Sequence, residues 1–139
     1  MFSALADPGT VIPLSFVAAM PGFPDVSGWG IANWGDPESP FKTLSAIDGK
    51  GPSFVMVELG VFWPTAEIEL DETTIELLGI ESPEDVALFA ILTLGDSLET
   101  TTANLLGPIV VNVNNQHAVQ MIRTNTHHST REPLIPQAS

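Results

Sequence analysis

Residues 86–94 read Val-Ala-Leu-Phe-Ala-Ile-Leu-Thr-Leu, a nearly continuous apolar run between polar flanks. The run is short for a helix, and such a run is typical of a strand that is buried on both faces of a sheet. It therefore predicts a central strand in which Phe89 and Ile91 are largely buried.

A second central strand is predicted at residues 108–113, where apolar side chains recur at every other position. The Asn-Asn pair at residues 114–115 is a turn signal, and residues 118–122 return as a second apolar stretch, which indicates an antiparallel hairpin. Ile109 and Val111 should lie on the buried face of this hairpin.

The remaining strands are marked by twelve prolines and eleven glycines that are spread along the chain. Short β-branched and aromatic stretches between such turn formers are typical of β-strands. The further predicted strands are residues 11–17, 28–34, 41–47, 53–59, 65–70 and 99–105.

One short helix is predicted at about residues 72–78. Asp71 is suited to the N-cap and Gly79 to a left-handed C-terminal residue. Leu70 and Ile75 stand at the two positions of a hydrophobic staple. The fold class predicted from these elements is all-β: a compact, barrel-like antiparallel sheet with one short helix on its outside.

The length of 139 residues indicates a single domain, residues 1–139, that can bury a core without disulfides. Polar residues dominate from position 124 onward, so residues 124–139 are expected to form a loose C-terminal tail. The first 22 residues contain no Lys or Arg, and their prolines interrupt any apolar stretch, so neither a signal peptide nor a membrane span is expected. We expect a cytoplasmic protein that is a monomer on its own.

The charge balance narrows the possible partners. Four Lys and Arg against seventeen Asp and Glu give a net charge of −13. Because phosphate contacts are usually made by Lys and Arg, direct binding to nucleic acid or to an anionic membrane is not expected. A basic protein would be attracted to such a surface, although an acidic surface can also serve solubility alone.

The acidic residues concentrate in one segment that contains no Lys or Arg. Ten of them fall between positions 67 and 99: Glu67, Glu69, Asp71, Glu72, Glu76, Glu81, Glu84, Asp85, Asp96 and Glu99. This segment is either a solvated face or an electrostatic surface for a basic partner. Glu72, Glu76 and Glu84 are the candidate partner-binding residues of the second interpretation.

Sequence motifs of enzymes and of metal sites are missing. There is no cysteine, no Gly-x-Ser-x-Gly, no His-Glu-x-x-His and no phosphate-binding loop. The adjacent His127 and His128 are better interpreted as part of a solvated tail than as metal ligands, and His117 as a surface residue beside the hairpin. We expect no catalytic residue, no metal and no cofactor.

An ordered set of motifs resembles the FliW family of bacterial flagellar assembly factors. Residues 102–112 (Thr-Ala-Asn-Leu-Leu-Gly-Pro-Ile-Val-Val-Asn) resemble its characteristic strand and turn, and residues 20–24 (Met-Pro-Gly-Phe-Pro) resemble its Gly-Leu-Pro-Gly-Phe element. The helix, the strand after it and the closing Arg-Glu-Pro-Leu at residues 131–134 are similar as well. The family's Gly and Leu before Pro-Gly-Phe are here Ala19 and Met20.

The resemblance implies a regulator that acts by protein binding and not by catalysis. FliW proteins bind flagellin and also CsrA, a small RNA-binding dimer that represses flagellin translation. By this resemblance, the chain would hold CsrA when flagellin is scarce and release it when flagellin accumulates. Two alternatives stay open: a generic acidic β-domain adaptor protein, or a small-molecule-binding β-barrel, which would need a large apolar cavity.

Polar side chains inside the characteristic segment have two interpretations. If buried, the amides of Asn104 and Asn112 must be hydrogen-bonded, and they would then fix the turn around Gly107. Alternatively, Asn104, Pro108, Ile109 and Asn112 lie on an exposed edge that pairs with a segment of flagellin.

Overall fold

A computed structural model describes residues 10–26, 28–47, 51–63, 69–123 and 129–134. In these ranges the strands are β1 (Val11–Phe16), β2 (Gly28–Asn33), β3 (Phe41–Ala46), β4 (Ser53–Glu58), β5 (Val86–Thr93), β6 (Thr102–Ala103), β7 (Ile109–Asn112), β8 (His117–Gln120) and β9 (Glu132–Pro133). The helices are α1 (Leu59–Phe62) and α2 (Glu72–Leu78), and Pro83–Asp85 and Leu98–Thr100 form 3₁₀ turns. The predicted helix at residues 72–78 is confirmed.

Seven strands close into a barrel in the order β4-β3-β2-β1-β8-β7-β5, and β5 pairs again with β4. The closure removes the free edges that an open sheet of this length would present. The predicted β7–β8 hairpin is confirmed, with Ile109 opposite Gln120 and Val111 opposite Ala118. The predicted barrel-like sheet is therefore confirmed, with one parallel pairing, β1–β8, among its antiparallel ones.

The barrel interior is filled by side chains. Strand β1 alternates strictly, burying Ile12, Leu14 and Phe16 and exposing the residues between them. Trp29 of β2 is fully buried, and its ring centroid lies 5.9 Å from those of both Phe16 and Phe54. The interior cluster is Ile12, Leu14, Phe16, Met20, Trp29, Ile31, Leu44, Ala46, Met56, Ala87, Phe89, Ile109, Val111 and Ala118.

Strand β5 is covered on both faces, as its apolar run predicts. Phe89 points into the interior cluster, whereas Ala90 and Leu92 belong to a second buried cluster outside the barrel wall. Phe89, Ile109 and Val111 are buried as predicted, but Ile91 is only partly buried, because it packs at the margin of the interior cluster.

Two clusters cover the outside of the wall. The helix-side cluster consists of Leu78, Val110, Val119 and Met121. The tail-side cluster consists of Val57, Leu59, Ala90, Leu92, Ala103, Leu105 and Leu134. Because both clusters lie on the β4, β5, β7 and β8 side, the outer face of β1 stays exposed.

The predicted strand at residues 99–105 is wrong over most of its length. Hydroxyl groups compete here with the sheet for backbone partners: the Ser97 N–H donates to Thr100 Oγ1 at 3.1 Å, and Thr101 Oγ1 donates to Ser97 O at 2.8 Å. These bonds hold a 3₁₀ turn at Leu98–Thr100, and only Thr102–Ala103 pairs as β6. Of the predicted strand at 65–70, residues 65–68 lie outside the described ranges, and Glu69 and Leu70 are not in a strand.

The expected loose tail needs correction for residues 129–134. Glu132 and Pro133 form β9, which pairs with β6, and Leu134 is buried in the tail-side cluster. Burial of Leu134 gives this segment a fixed place on the wall. The rest of the predicted tail, with His127 and His128, lies outside the described ranges.

Candidate functional site

Helix α2 is fixed at both ends by its own sequence. Asp71 Oδ1 accepts a hydrogen bond from the Thr74 N–H at 2.7 Å, which makes Asp71 the N-cap. Hydrogen bonds from the Thr74 side chain and from its backbone N–H lower the pKa of the Asp71 carboxyl. At the other end Gly79 adopts φ +67°, a left-handed conformation that ends the helix at little steric cost.

The inner side of α2 packs on the barrel through Thr74 and Leu78, which are both buried. Leu78 contributes to the helix-side cluster together with Val110 of β7. Its neighbour Leu77 is 46% exposed. The helix presents Thr73, Leu77 and both glutamates to solvent, whereas Ile75 is partly buried.

Asn112 joins the helix to the hairpin. It is 2% exposed, and its Nδ2 donates to Leu78 O at 2.8 Å and to Gly79 O at 3.3 Å. Its Oδ1 accepts from the Asn114 N–H, and Asn115 Nδ2 donates to Leu78 O at 3.0 Å. The β7–β8 hairpin thus satisfies carbonyl groups that the end of a helix leaves unpaired.

Asn104 holds the turn before β7. Its Oδ1 accepts from the N–H groups of Leu106 and Gly107 at 3.0 and 3.1 Å, and Gln120 Nε2 donates to Gly107 O at 3.0 Å. A Cβ at Gly107 would lie 2.6 Å from Gln120 Nε2, so a larger residue here would displace the Gln120 side chain from its bond to Gly107 O. These bonds agree with the first interpretation of Asn104, in which its amide is hydrogen-bonded and fixes the turn around Gly107.

Of the two interpretations of residues 102–112, the one with an exposed edge is wrong. Strand β7 pairs with β5 on one side and with β8 on the other, so its backbone is occupied by the barrel. Pro108, Ile109 and Asn112 are buried, and Asn104 is partly buried. Of the candidate partner-binding residues, only the glutamates Glu72, Glu76 and Glu84 are exposed.

Of the ten acidic residues of this segment, Glu67 lies outside the described ranges, and the other nine divide into two exposed groups and the structural Asp85. One surrounds α2 and is called the acidic rim here; it consists of the exposed Glu69, Asp71, Glu72, Glu76, Glu81 and Glu84. Asp96 and Glu99 follow the far end of β5, an eight-residue strand that spans about 26 Å. Asp85 serves the fold, because its carboxylate accepts from Asn114 Nδ2 at 2.7 Å and from the Ser82 N–H at 3.1 Å.

Hydrogen bonding also sets the ionisation of Asp85. The bond from the Asn114 side chain, assisted by backbone N–H groups of Glu81 and Ser82, lowers the pKa of the Asp85 carboxyl. The charge on Asp85 thus helps to attach the 3₁₀ turn to the hairpin, whereas Glu72, Glu76 and Glu84 are exposed residues.

Two basic side chains among the described residues, Lys42 and Arg123, donate hydrogen bonds to oxygens of loops and turns of the barrel. Lys42 is buried at 5% exposure, and its Nζ donates to Asn33 Oδ1 at 3.0 Å and to Ser39 O at 2.7 Å. Arg123 Nη1 donates to Leu105 O at 2.9 Å. These two cations support the loop before β3 and the turn before β7, and the six residues of the rim itself are all acidic and exposed.

A groove of about 570 Å³ opens between α2 and β5. Its apolar lining consists of Leu70, Ile75, Ile80, Pro83, Val86 and Leu88, and Glu69, Glu81 and Ser82 complete it. The staple pattern of the sequence predicts that Leu70 and Ile75 lie together at the start of the helix. It does not predict that Val86 and Leu88 of strand β5 complete a groove with them.

The described residues form neither a metal-binding cluster nor a membrane-spanning helix. No group of three or more His, Asp or Glu among the described residues could hold a metal ion. No helix in the part of the chain that the structure describes is long and apolar enough to cross a bilayer. His117 lies at the start of β8, where its N–H donates to Asn115 Oδ1 at 2.9 Å.

Comparison with known proteins gives one consistent answer. The family model described as "FliW protein" matches residues 5–134. The flagellar assembly factor FliW of Anoxybacillus flavithermus is 41% identical over 124 residues, which cover 89% of this chain and 84% of that protein. That of Bacillus subtilis is 34% identical over 119 residues, which cover 86% and 82%. A crystal structure of the flagellar assembly factor FliW superimposes with a TM-score of 0.83 at 37% identity, covering 91% of this chain and 88% of that one.

Proposed function

The chain belongs to the FliW family of flagellar assembly factors, and on that premise we propose that it acts by binding two proteins in the cytoplasm. It binds flagellin, and it antagonises the translational regulator CsrA by protein–protein contact, so that the flagellin level is coupled to flagellin translation. It carries out this role without catalysis.

The observation that carries this proposal is the exposed acidic rim around α2. Glu72, Glu76 and Glu84 are exposed, and the described basic side chains Lys42 and Arg123 donate hydrogen bonds to Ser39 O and Leu105 O. A surface of one sign attracts a basic protein such as an RNA-binding regulator, and it repels the RNA itself. Charge of this kind raises the association rate more than it strengthens the final complex.

The filled interior argues against the small-molecule alternative. A ligand-binding barrel needs a cavity with a few convergent polar groups. Here Trp29, Leu14, Ile31 and Met56 meet at the centre, each with an exposure of 1% or less. Between the two other candidates, family membership favours the flagellar regulator over a generic acidic adaptor.

The test reverses the charge of the acidic rim. The triple variant Glu72→Lys, Glu76→Lys and Glu84→Lys should slow the association with CsrA about tenfold at about 0.1 M salt, where the Debye length is about 10 Å. At about 1 M salt the difference should nearly vanish. Surface-plasmon kinetics with purified CsrA measures both rates, and dissociation should change less than association.

A matched control reverses three exposed acids outside the rim: Asp25→Lys, Glu38→Lys and Asp96→Lys. Both triple variants have the same net charge, so equal slowing by the two would show a general charge effect and would contradict a role for the rim.

Added flagellin should release CsrA from the unaltered chain. A complex with CsrA that persists in saturating flagellin would contradict the proposed coupling.

A further inference from the structure

The groove between α2 and β5 is an apolar surface without an occupant among the described residues. Ile75, Val86 and Leu88 line it while each is only partly buried. Elsewhere on this side of the barrel the outer face of β5 is covered by Leu105 and Leu134 of the tail-side cluster. Apolar area that stays open beside a covered wall is typical of a binding surface.

The charges at the groove determine which occupant fits. Glu69 and Glu81 are part of the lining, and Glu72, Glu76 and Glu84 lie on the elements that form it. An anionic ligand would be repelled by these carboxylates. A second copy of this chain would bring a net charge of −13 and an acidic rim of its own, so self-association here is opposed as well.

We propose that the groove receives one or two apolar side chains of a protein segment whose flanking residues are Lys or Arg. The apolar side chains bury against Ile75, Val86 and Leu88, and the flanking cations face Glu69 and Glu81. The inference rests on the proposed function, that this protein works by binding other proteins, and it adds the place and the chemistry of one contact. Apolar burial supplies the affinity of such a contact, and the cations supply its orientation and rate.

The experiment uses three short synthetic peptides of equal length and the ¹⁵N-labelled chain. One peptide combines Leu with Lys, the second replaces Leu by Ser, and the third replaces Lys by Glu. The Leu-Lys peptide should shift the amide signals of Leu70, Ile75 and Leu88. It should also bind about tenfold more tightly than the Ser-Lys peptide, because burial of a Leu side chain is lost in the latter. The Leu-Glu peptide should not bind.

Two rim variants test the contribution of charge. Glu69→Lys with Glu81→Lys should weaken the Leu-Lys peptide about fivefold or more, whereas Asp25→Lys with Glu38→Lys, which alters the net charge equally, should weaken it less than about twofold. All four residues are exposed, so both variants should fold, and a urea unfolding curve checks this.

The proposal is overturned if the Ser-Lys peptide binds as tightly as the Leu-Lys peptide. It is equally overturned if the groove amides do not shift, or if both variants weaken binding alike. If the Leu-Lys peptide does not bind in the groove but CsrA still binds to the chain, the groove proposal is overturned and the proposed function stands. Peptide binding in the groove by a chain that binds neither CsrA nor flagellin would support the groove and contradict the proposed function.

Discussion

The outer faces of β1 and β7 belong to the same barrel wall, but they meet different surroundings. Val11 of β1 is 60% exposed, whereas Val110 of β7 is fully buried beneath α2. The inner faces of both strands pack into the same interior cluster. One interior cluster thus fills the whole barrel. The helix-side and tail-side clusters add a second layer on only one side of the wall.

The two sides of the barrel also differ in the groups that they present to solvent. On the β1–β2 side, Gly30 lies under the Val11 side chain and the wall carries few large groups. On the β5–β7 side, α2, the 3₁₀ turn and the hairpin bond to one another and display the acidic rim and the groove. Substitutions in α2, in the 3₁₀ turn or in the hairpin should therefore change stability or partner binding. Substitutions on the outer face of β1 should change neither.

The largest expected effect separates two neighbouring leucines of α2. Leu78→Ala should destabilise the protein by about 2–5 kcal/mol, because Leu78 is fully buried in the helix-side cluster. Leu77→Ala, at a side chain that is 46% exposed, should cost about 0.5 kcal/mol or less. Urea unfolding measures both. Equal losses would mean that α2 is not seated on the wall as described.

The next effect concerns the bond between hairpin and helix. Asn112→Ala should cost about 1–3 kcal/mol, because a buried amide that bonds Leu78 O and Gly79 O is lost. Asn115→Ala should cost less than about 1 kcal/mol, since Leu78 O keeps the bond from Asn112. Chemical denaturation of the two variants under the same conditions gives the comparison, and a larger loss for Asn115→Ala would contradict it.

The smallest effect is the pH dependence of the α2 cap. The pKa of Asp71 is lowered in the folded state, so the charge of Asp71 stabilises the fold above its unfolded value of 3.8, and this contribution is lost as the pH falls through the lower folded value. Asn can also act as an N-cap, so Asp71→Asn removes the charge and keeps the cap. Unfolding curves from about pH 5 to about pH 2.5 should therefore converge for the two proteins. A constant difference between them would contradict the role of the charge.

Local patterns were enough to predict much of the wall. The apolar run became β5, the alternation at residues 108–113 became β7, and the capping residues placed α2 at Glu72–Leu78. Patterns of this kind depend on neighbours in the chain. The predicted strand at residues 99–105 is wrong where side-chain hydroxyls compete with the sheet, as at Leu98–Thr100. The predicted strand at residues 53–59 is confirmed except for Leu59, where α1 begins.

The candidate site was less predictable, because it depends on contacts that are distant in sequence. Asn112 bonds Leu78, 34 positions away, and no local pattern distinguishes this partner from the backbone of a nearby turn. Local patterns also leave open whether β7 has an exposed edge, because closure of the barrel, which occupies both sides of that strand, is a contact between distant segments. The exposed glutamates were predictable because charge density can be read from composition alone.

The most direct test of the central claim maps the contact surface of CsrA on this protein. Unlabelled CsrA is added to the ¹⁵N-labelled chain, and the backbone amide signals are followed. We expect the largest shifts on α2 and on the 3₁₀ turn Pro83–Asp85, and no shift for Val11 and Ser15 of β1. Shifts centred on the exposed face of β1 and β2 instead would contradict the assignment of the covered, acidic side as the binding surface.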